Sequence, residues 1–257
     1  MKTKSIGFIG GGRITKIFLQ GFKNQEIEFS SIKVCDTNND TLTELKKIFP
    51  EIETTDSLAD VVRQEIVFIA LHPPVIGDTM SQLKDIISDT AVIISLAPKF
   101  SIEKLSALTG TKRIVRMIPN ATSYINEGYN PVCFSDAFDS SDKDLILEML
   151  KIFGITFETE ETKLEAYAIT SAMLPTYFWF QWKEMEKIAQ EIGLSEKESR
   201  DTIYESLKAS LEIMYNSDLN YKDLTDLIPV KPIAEKETEI KEILNNHLIN
   251  LFNKIKP

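Results

Sequence analysis

The sequence predicts an α/β protein: a doubly wound parallel sheet through about residue 160, then an all-helical region. Three observations carry this. Short runs rich in isoleucine and valine alternate with longer amphipathic runs from residue 4 to about residue 160. A triple glycine, Gly10-Gly11-Gly12, stands between the first apolar run and the first helical pattern. Beyond Glu160 the β-branched runs all but vanish, and three long helical patterns remain.

The apolar runs SIGFIG, IKVCD, IVFIAL, AVIISLA and RIVRMI read as buried strands, because they are short and almost continuously apolar. Between them RITKIFLQGF, NDTLTELKKIF, VIGDTMSQLKDII and SIEKLSAL space their apolar residues three and four apart, as helices packed on a sheet must. Asp40, Asp78 and Ser101 are expected in first helical turns or as caps. PVCFS and ITFET add two strands around the helix SSDKDLILEMLKIFG, and strands alternating with helices imply a parallel sheet. In the helical region one stripe runs from Leu164 through Tyr167, Ser171, Phe178, Trp182 and Met185 to Ile192, ended by Gly193. A second helix is predicted over about 196–214, with Ser195 and Glu198 as a capping box. A third is predicted over about 234–255. The expected organisation is a dinucleotide-binding domain over 1–160 and a helical dimerisation and substrate domain over 161–257.

Composition narrows the partners. A formal net charge of -10 over 257 residues disfavours nucleic acid and anionic membranes, which repel it. The most apolar late stretch, AMLPTYFWFQW, is about half the length that spans a bilayer. The first apolar run is too short for a secretion signal, and Cys35 and Cys133 form no paired pattern, so a reducing cytoplasm is expected. His72 and His247 have no metal-ligand spacing, and no metal is expected.

Gly10-Gly11-Gly12-Arg13-Ile14-Thr15 nearly matches the dinucleotide fingerprint of a Rossmann-type domain. Gly10 allows the tight turn, Gly12 lets backbone N–H groups approach a pyrophosphate, and the following helix N-terminus faces its charge. Thr15 stands where glycine or alanine is usual. Asp36 ends the second strand, where a carboxylate accepts hydrogen bonds from the adenosine ribose and repels a 2′-phosphate. Thr37-Asn38-Asn39 offer no cation, which favours NAD(H) over NADP(H). The alternative for Asp36 is a turn-forming aspartate.

The order of these motifs resembles that of the pyrroline-5-carboxylate reductases, which use NAD(P)H to close proline biosynthesis. IGFIGGGRI is similar to that family's glycine loop, and VFIALHPPVI to its third-strand motif, with Ala70, Leu71, His72 and Pro73 in the cofactor-contacting positions. RIVRMIPNATSYINEGY is similar to its Arg-x-Met-Pro-Asn loop, placing Asn120 at a strand's carboxyl end, and LEAYAITSAMLPTYFW to the start of its helical domain. The resemblance implies a small-molecule substrate, hydride transfer to a carbon–nitrogen double bond, and a homodimer or higher homo-oligomer. It names no catalytic acid or base here, and an iminium is electrophilic enough to need none.

The substrate half departs from the family. Its Ser-Gly-Ser-Gly-Pro-Ala segment reads Ser171-Ala172-Met173-Leu174-Pro175-Thr176 here, leaving Ser171 and Thr176 as substrate-binding candidates. The glycine- and threonine-rich loop that holds the substrate carboxylate aligns with Ile228-Pro229-Val230-Lys231-Pro232-Ile233, where Lys231 is the one cation. Side chains replace glycines, prolines remove N–H donors and no hydroxyl remains, so weak proline formation is expected. Lys231 is otherwise a surface lysine, and Arg13 either lies along the phosphates or is solvated. His72 either meets the cofactor or is an ordinary loop histidine, and the aromatic cluster Tyr177 to Trp182 is core or interface. A paralogue acting on another imine or a carbonyl, or a nucleotide-binding protein without turnover, are the alternative functions.

Overall fold

The computed structural model describes residues 4–84, 86–88 and 90–256, with the side chain of Pro73 outside that description. The elements follow in order: β1 (Ser5–Ile9), α1 (Arg13–Asn24), β2 (Ser31–Cys35), α2 (Asn39–Ile48), β3 (Glu53–Thr55), α3 (Leu58–Val62), β4 (Ile66–Ile69), α4 (Pro73–Ser81), β5 (Val92–Ser95), α5 (Ile102–Thr109) and β6 (Ile114–Met117). Then come β7 (Gly128–Phe134), α6 (Ser140–Leu150), β8 (Gly154–Glu158), α7 (Leu164–Tyr167), α8 (Leu174–Glu191), α9 (Glu196–Asn216), α10 (Tyr221–Asp226) and α11 (Glu237–Ile255). Among the described residues the sheet has eight strands in the order β3-β2-β1-β4-β5-β6-β7-β8.

Alternation along the strands explains why helices cover both faces. Ile6 and Phe8 of β1, Ile66 and Phe68 of β4, and Val92 and Ile94 of β5 join Phe18 and Phe22 of α1 and Leu42 of α2 in one apolar cluster. Ile9, Val67, Ile69 and Ile93 point the other way, onto Val61 of α3, Ile76 and Met80 of α4, and Leu105 of α5. Successive side chains of a strand leave opposite faces, so a run buried on both sides must be apolar throughout. That is why these strands were legible.

Several expectations change. β6 and β7 run antiparallel while β7 and β8 run parallel, so the sheet is mixed at this end rather than wholly parallel. The link from β6 to β7 is a short 3-10 turn, Ala121–Ile125, too brief for the crossover that parallel pairing needs. α4 starts at Pro73 after the cap residue His72, so Asp78 lies within the helix instead of capping it. It stops at Ser81 rather than near Ile87, tightening into Gln82 N–H→Thr79 and Leu83 N–H→Met80 turns, and Gly77 and Thr79 are weak helix formers. Ser101 does cap α5, accepting from Lys104 N–H at 3.2 Å, and Asp40 lies in the first turn of α2 behind the cap Asn38. β3 was missed because Glu-Thr-Thr on an edge carries no apolar run.

The chain divides into two compact units. The first comprises the residues up to Ala172 together with the chain from Leu251, and the second is Met173–Asn250. The sheet unit thus continues past Glu160, where composition changes, because residues 161–172 are bonded to it. Fully buried Arg116 donates Nη1–H to Glu161 Oε1 at 2.9 Å and Nη2–H to Glu165 Oε1. The stripe expected as one helix from 164 breaks into α7, a π-helical turn at Ala168–Ala172, and α8. Pro175 near the start of α8 cannot bond back into a preceding turn, so the break falls just before it.

In the second unit α9 carries the Ser195–Glu198 capping box, and a 3-10 turn at Ala234–Lys236 precedes α11. Only Ala189 and Ser199 are buried between residues 173 and 250. Phe178, Trp179, Phe180, Tyr204, Leu211 and Tyr215 are exposed. No helix among the described residues is long and apolar enough to cross a membrane.

Candidate cofactor-binding site

The carboxyl ends of β1, β2 and β4 build one tight corner. Gly10 N–H donates to Cys35 O at 2.7 Å, and Ala70 N–H donates to Ile9 O at 2.8 Å. Gly10 has φ +102, and a Cβ there would lie 2.6 Å from the Ala70 carbonyl oxygen. Only glycine fits. At Gly12, the cap residue of α1, a Cβ would meet nothing within 4 Å. The chain therefore does not need glycine at position 12 for its own packing, and the space above it is open.

α1 begins at Arg13 with no side-chain cap and no acidic residue in its first turn. Among the described residues no side chain caps its first N–H groups, which with the positive end of its dipole suit an anion. Arg13 is exposed, and Ile14 is half-buried against the core. Thr15, where the fingerprint prefers a smaller residue, is fully buried and donates its hydroxyl to the Gly10 carbonyl at 2.5 Å. The substitution ties the loop to the helix rather than disrupting it.

Asp36 has a fixed carboxylate. Its Oδ2 accepts from Gly11 N–H at 2.7 Å and its Oδ1 from Asn38 N–H at 2.8 Å. The second contact is that of a turn-forming aspartate. The first joins the glycine loop to the end of β2 and holds the negative charge in one place. Each oxygen keeps a lone pair for a further donor.

At β6 the loop is organised by buried amides. Asn120 N–H donates to Asn130 Oδ1 at 3.1 Å, and Asn130, fully buried in β7, donates Nδ2–H to Phe153 O at 3.2 Å. Asn120 Oδ1 accepts from Thr122 N–H at 3.0 Å, its Nδ2 donates to Ser171 Oγ at 2.9 Å, and Ser171 donates to Tyr129 O at 3.2 Å. Asn120 and Ser171 are thus brought together. Sequence reading missed Asn130, although an asparagine inside an otherwise apolar strand run is a usable signal.

The remaining candidates are placed singly. Leu71 lines Gly10, exposed His72 caps α4, and Pro73 is that helix's first residue. Thr176 donates its hydroxyl to Met173 O at 2.7 Å within the second unit, where Lys231 is exposed. Burial, then the nearby Glu161 carboxylate, push the Cys133 thiol up to about 11, and burial first, then Asp36, raises that of Cys35. Neither thiol is a ready nucleophile at neutral pH. No group of three His, Cys, Asp or Glu side chains among the described residues is arranged to hold a metal.

Comparison with known proteins finds likeness in both sequence and fold. A family model described as NADP oxidoreductase coenzyme F420-dependent matches residues 5–99, the part that holds the glycine loop, Asp36 and Ala70–His72. A pyrroline-5-carboxylate reductase of Pasteurella multocida is 27% identical over 237 residues, 90% of this chain and 86% of that protein. One from Haemophilus influenzae is 25% identical over 219 residues, 83% of this chain and 79% of that protein. The chain is similar to the pyrroline-5-carboxylate reductases along most of its length. Its fold matches the crystal structure of Plasmodium falciparum pyrroline carboxylate reductase with NADP bound, with a TM-score of 0.84, 21% identity, and coverage of 100% of this chain and 98% of that one. The likeness to these reductases extends across both units.

Proposed function

We propose that the chain is an NAD(P)H-dependent oxidoreductase that reduces the carbon–nitrogen double bond of a small imine, in the manner of pyrroline-5-carboxylate reductase. The observation that carries the cofactor half is Gly12: an open space beside an uncapped helix N-terminus, kept clear by a glycine that packing does not require. Its N–H and those of Arg13 and Ile14 hold the pyrophosphate, with the Arg13 side chain alongside. Asp36 receives the adenosine ribose hydroxyls. Ala70, Leu71, His72 and Pro73 support the nicotinamide half, and Asn120 holds Ser171 at the edge of the reaction space. When bound, the reduced nicotinamide supplies the hydride. The chain orients the partners and excludes water, in the cytoplasm, where Cys35 and Cys133 stay reduced.

The test is a titration with NADH and NADPH, followed by reduction assays with pyrroline-5-carboxylate and a panel of other cyclic imines. Reduction of at least one imine is the expected result. Cofactor binding with no reduction of any of them would point to a nucleotide-binding protein instead. In the same titration NADH binds more tightly than NADPH, because a 2′-phosphate meets the fixed Asp36 charge. Asp36→Asn keeps an acceptor for Gly11 N–H and narrows the gap on the order of tenfold or more, by removing one charge repulsion. Equal affinities in the unaltered protein would reduce Asp36 to its turn role.

The second unit completes its core with a second copy of the chain. α8 and α9 expose Trp179, Phe180, Tyr204 and Tyr215, while residues 173–250 bury only one alanine and one serine. An apolar face this extensive is characteristic of an obligate interface. Sedimentation equilibrium at micromolar concentration is expected to give a dimer or a multiple of one, and a monomer would contradict it.

A further inference from the structure

Lys99, in the loop between β5 and α5, has φ +71. This is the left-handed region, where the Cβ of an L residue crowds the carbonyl oxygen and glycine sits freely. The flanks hold the loop in place. Ala97 and Phe100 are buried, the Lys104 ammonium lies 4.6 Å from the centre of the Phe100 ring, and Ile102 N–H donates to Glu161 Oε1 at 2.7 Å. A lysine is thus carried where the backbone favours glycine. Its side chain is exposed, and its ammonium makes no hydrogen bond or ion pair with the described residues.

Position gives this cation a role. Ser95, the last residue of β5, pairs with Ile69 of β4 and Arg116 of β6. The Lys99 loop therefore leaves the sheet between Ala70–His72 and Ile118–Asn120, on the edge where open α/β sheets bind ligands. β5 lies two strands from β1, or roughly 10 Å at the usual strand spacing, so Lys99 is at the nicotinamide half and away from the pyrophosphate loop. Strained non-glycine residues at such an edge are characteristic of ligand-binding positions.

We propose that Lys99 is a specificity-determining residue that recognises a carboxylate on the imine substrate. The inference rests on the reading of this edge as an imine-reducing site. It selects imines bearing an anionic group. The ammonium attracts the carboxylate as a point charge, so a change of ring size is tolerated better than loss of the carboxylate.

The test uses calorimetric binding of L-proline and L-prolinamide to the NADH-loaded full chain, which needs no turnover. Lys99→Gly and Lys99→Asn both suit a left-handed backbone, so both fold, and Lys99→Gly melts at a higher temperature than the unaltered protein. Both are expected to weaken proline binding tenfold or more and to leave prolinamide binding unchanged or tighter, while Lys99→Arg retains proline binding. Proline binding that is unaffected by Lys99→Gly, or lost equally for both ligands, overturns the proposal. So does an unaltered protein that binds no proline. If proline binding depends on Lys99 but no imine is reduced, the anion site stands and the catalytic reading falls.

Discussion

Replacing Gly12 with valine abolishes dinucleotide binding and leaves the protein folded. The two halves of this outcome have separate causes. A Cβ at Gly12 meets no protein atom within 4 Å, so the larger side chain creates no clash in the free chain. Its φ of -75 is open to any L residue, so no backbone strain is added. The same branched side chain fills the space through which a pyrophosphate reaches the α1 N–H groups. Each charge-assisted hydrogen bond lost there costs about 1.5–3 kcal/mol, so losing two lowers affinity on the order of a hundredfold or more. Fluorescence titration with NADH and a thermal melt check both halves. Gly10→Val is the contrasting variant: at φ +102 and against the Ala70 carbonyl it destabilises the fold itself. Unchanged NADH affinity in a folded Gly12→Val variant would remove the cofactor site from this loop.

Arg116→Ala is the largest expected effect on stability. The guanidinium is 1% exposed and pairs with Glu165, 2% exposed, and with Glu161 at the rim. Removing it leaves a buried carboxylate without its partner, a loss of about 3–5 kcal/mol, because the desolvated charge is then uncompensated. For a chain of this size that lowers the melting temperature on the order of 10 °C. Arg116 is four residues before Asn120, and Glu165 six before Ser171, so the ion pair and the Asn120–Ser171 hydrogen bond brace the same two segments. A melting temperature within a degree of the unaltered protein would show that the network is replaceable by solvent.

The strands and the glycine corner were readable because their causes are local. Ile66–Ile69 and Val92–Ser95 are buried on both faces, which demands uninterrupted apolar residues. Gly10 stands just after β1 because the tight turn there imposes it, and Gly12 stands two residues on, where the proposed approach of a pyrophosphate needs it. What escaped reading depends on distant partners. Arg116 finds its carboxylates 45 and 49 residues later, and only folding shows that they place residues 161–172 with the sheet unit. The apolar period runs unbroken through Tyr167–Leu174, so the π-helical turn at Ala168–Ala172 has no periodicity signature of its own. Sequence alone places Asp36 at a ribose or in a turn, whereas its bond to Gly11 N–H joins it to a loop 25 residues away. Lys99 reads as an ordinary surface lysine until its φ is known.

The central claim is hydride transfer to an imine at the edge bounded by Gly10–Gly12, Ala70–His72 and Asn120, and isotope transfer tests it most directly. The protein is incubated with NADH carrying deuterium at the transferable C4 position and with an imine that the panel identifies as accepted, and the amine product is analysed by mass spectrometry and NMR. One deuterium on the former C=N carbon, with none when Gly12→Val replaces the unaltered protein, is the predicted result. Amine formed without deuterium, or no amine from any imine while NADH is bound, would contradict the account.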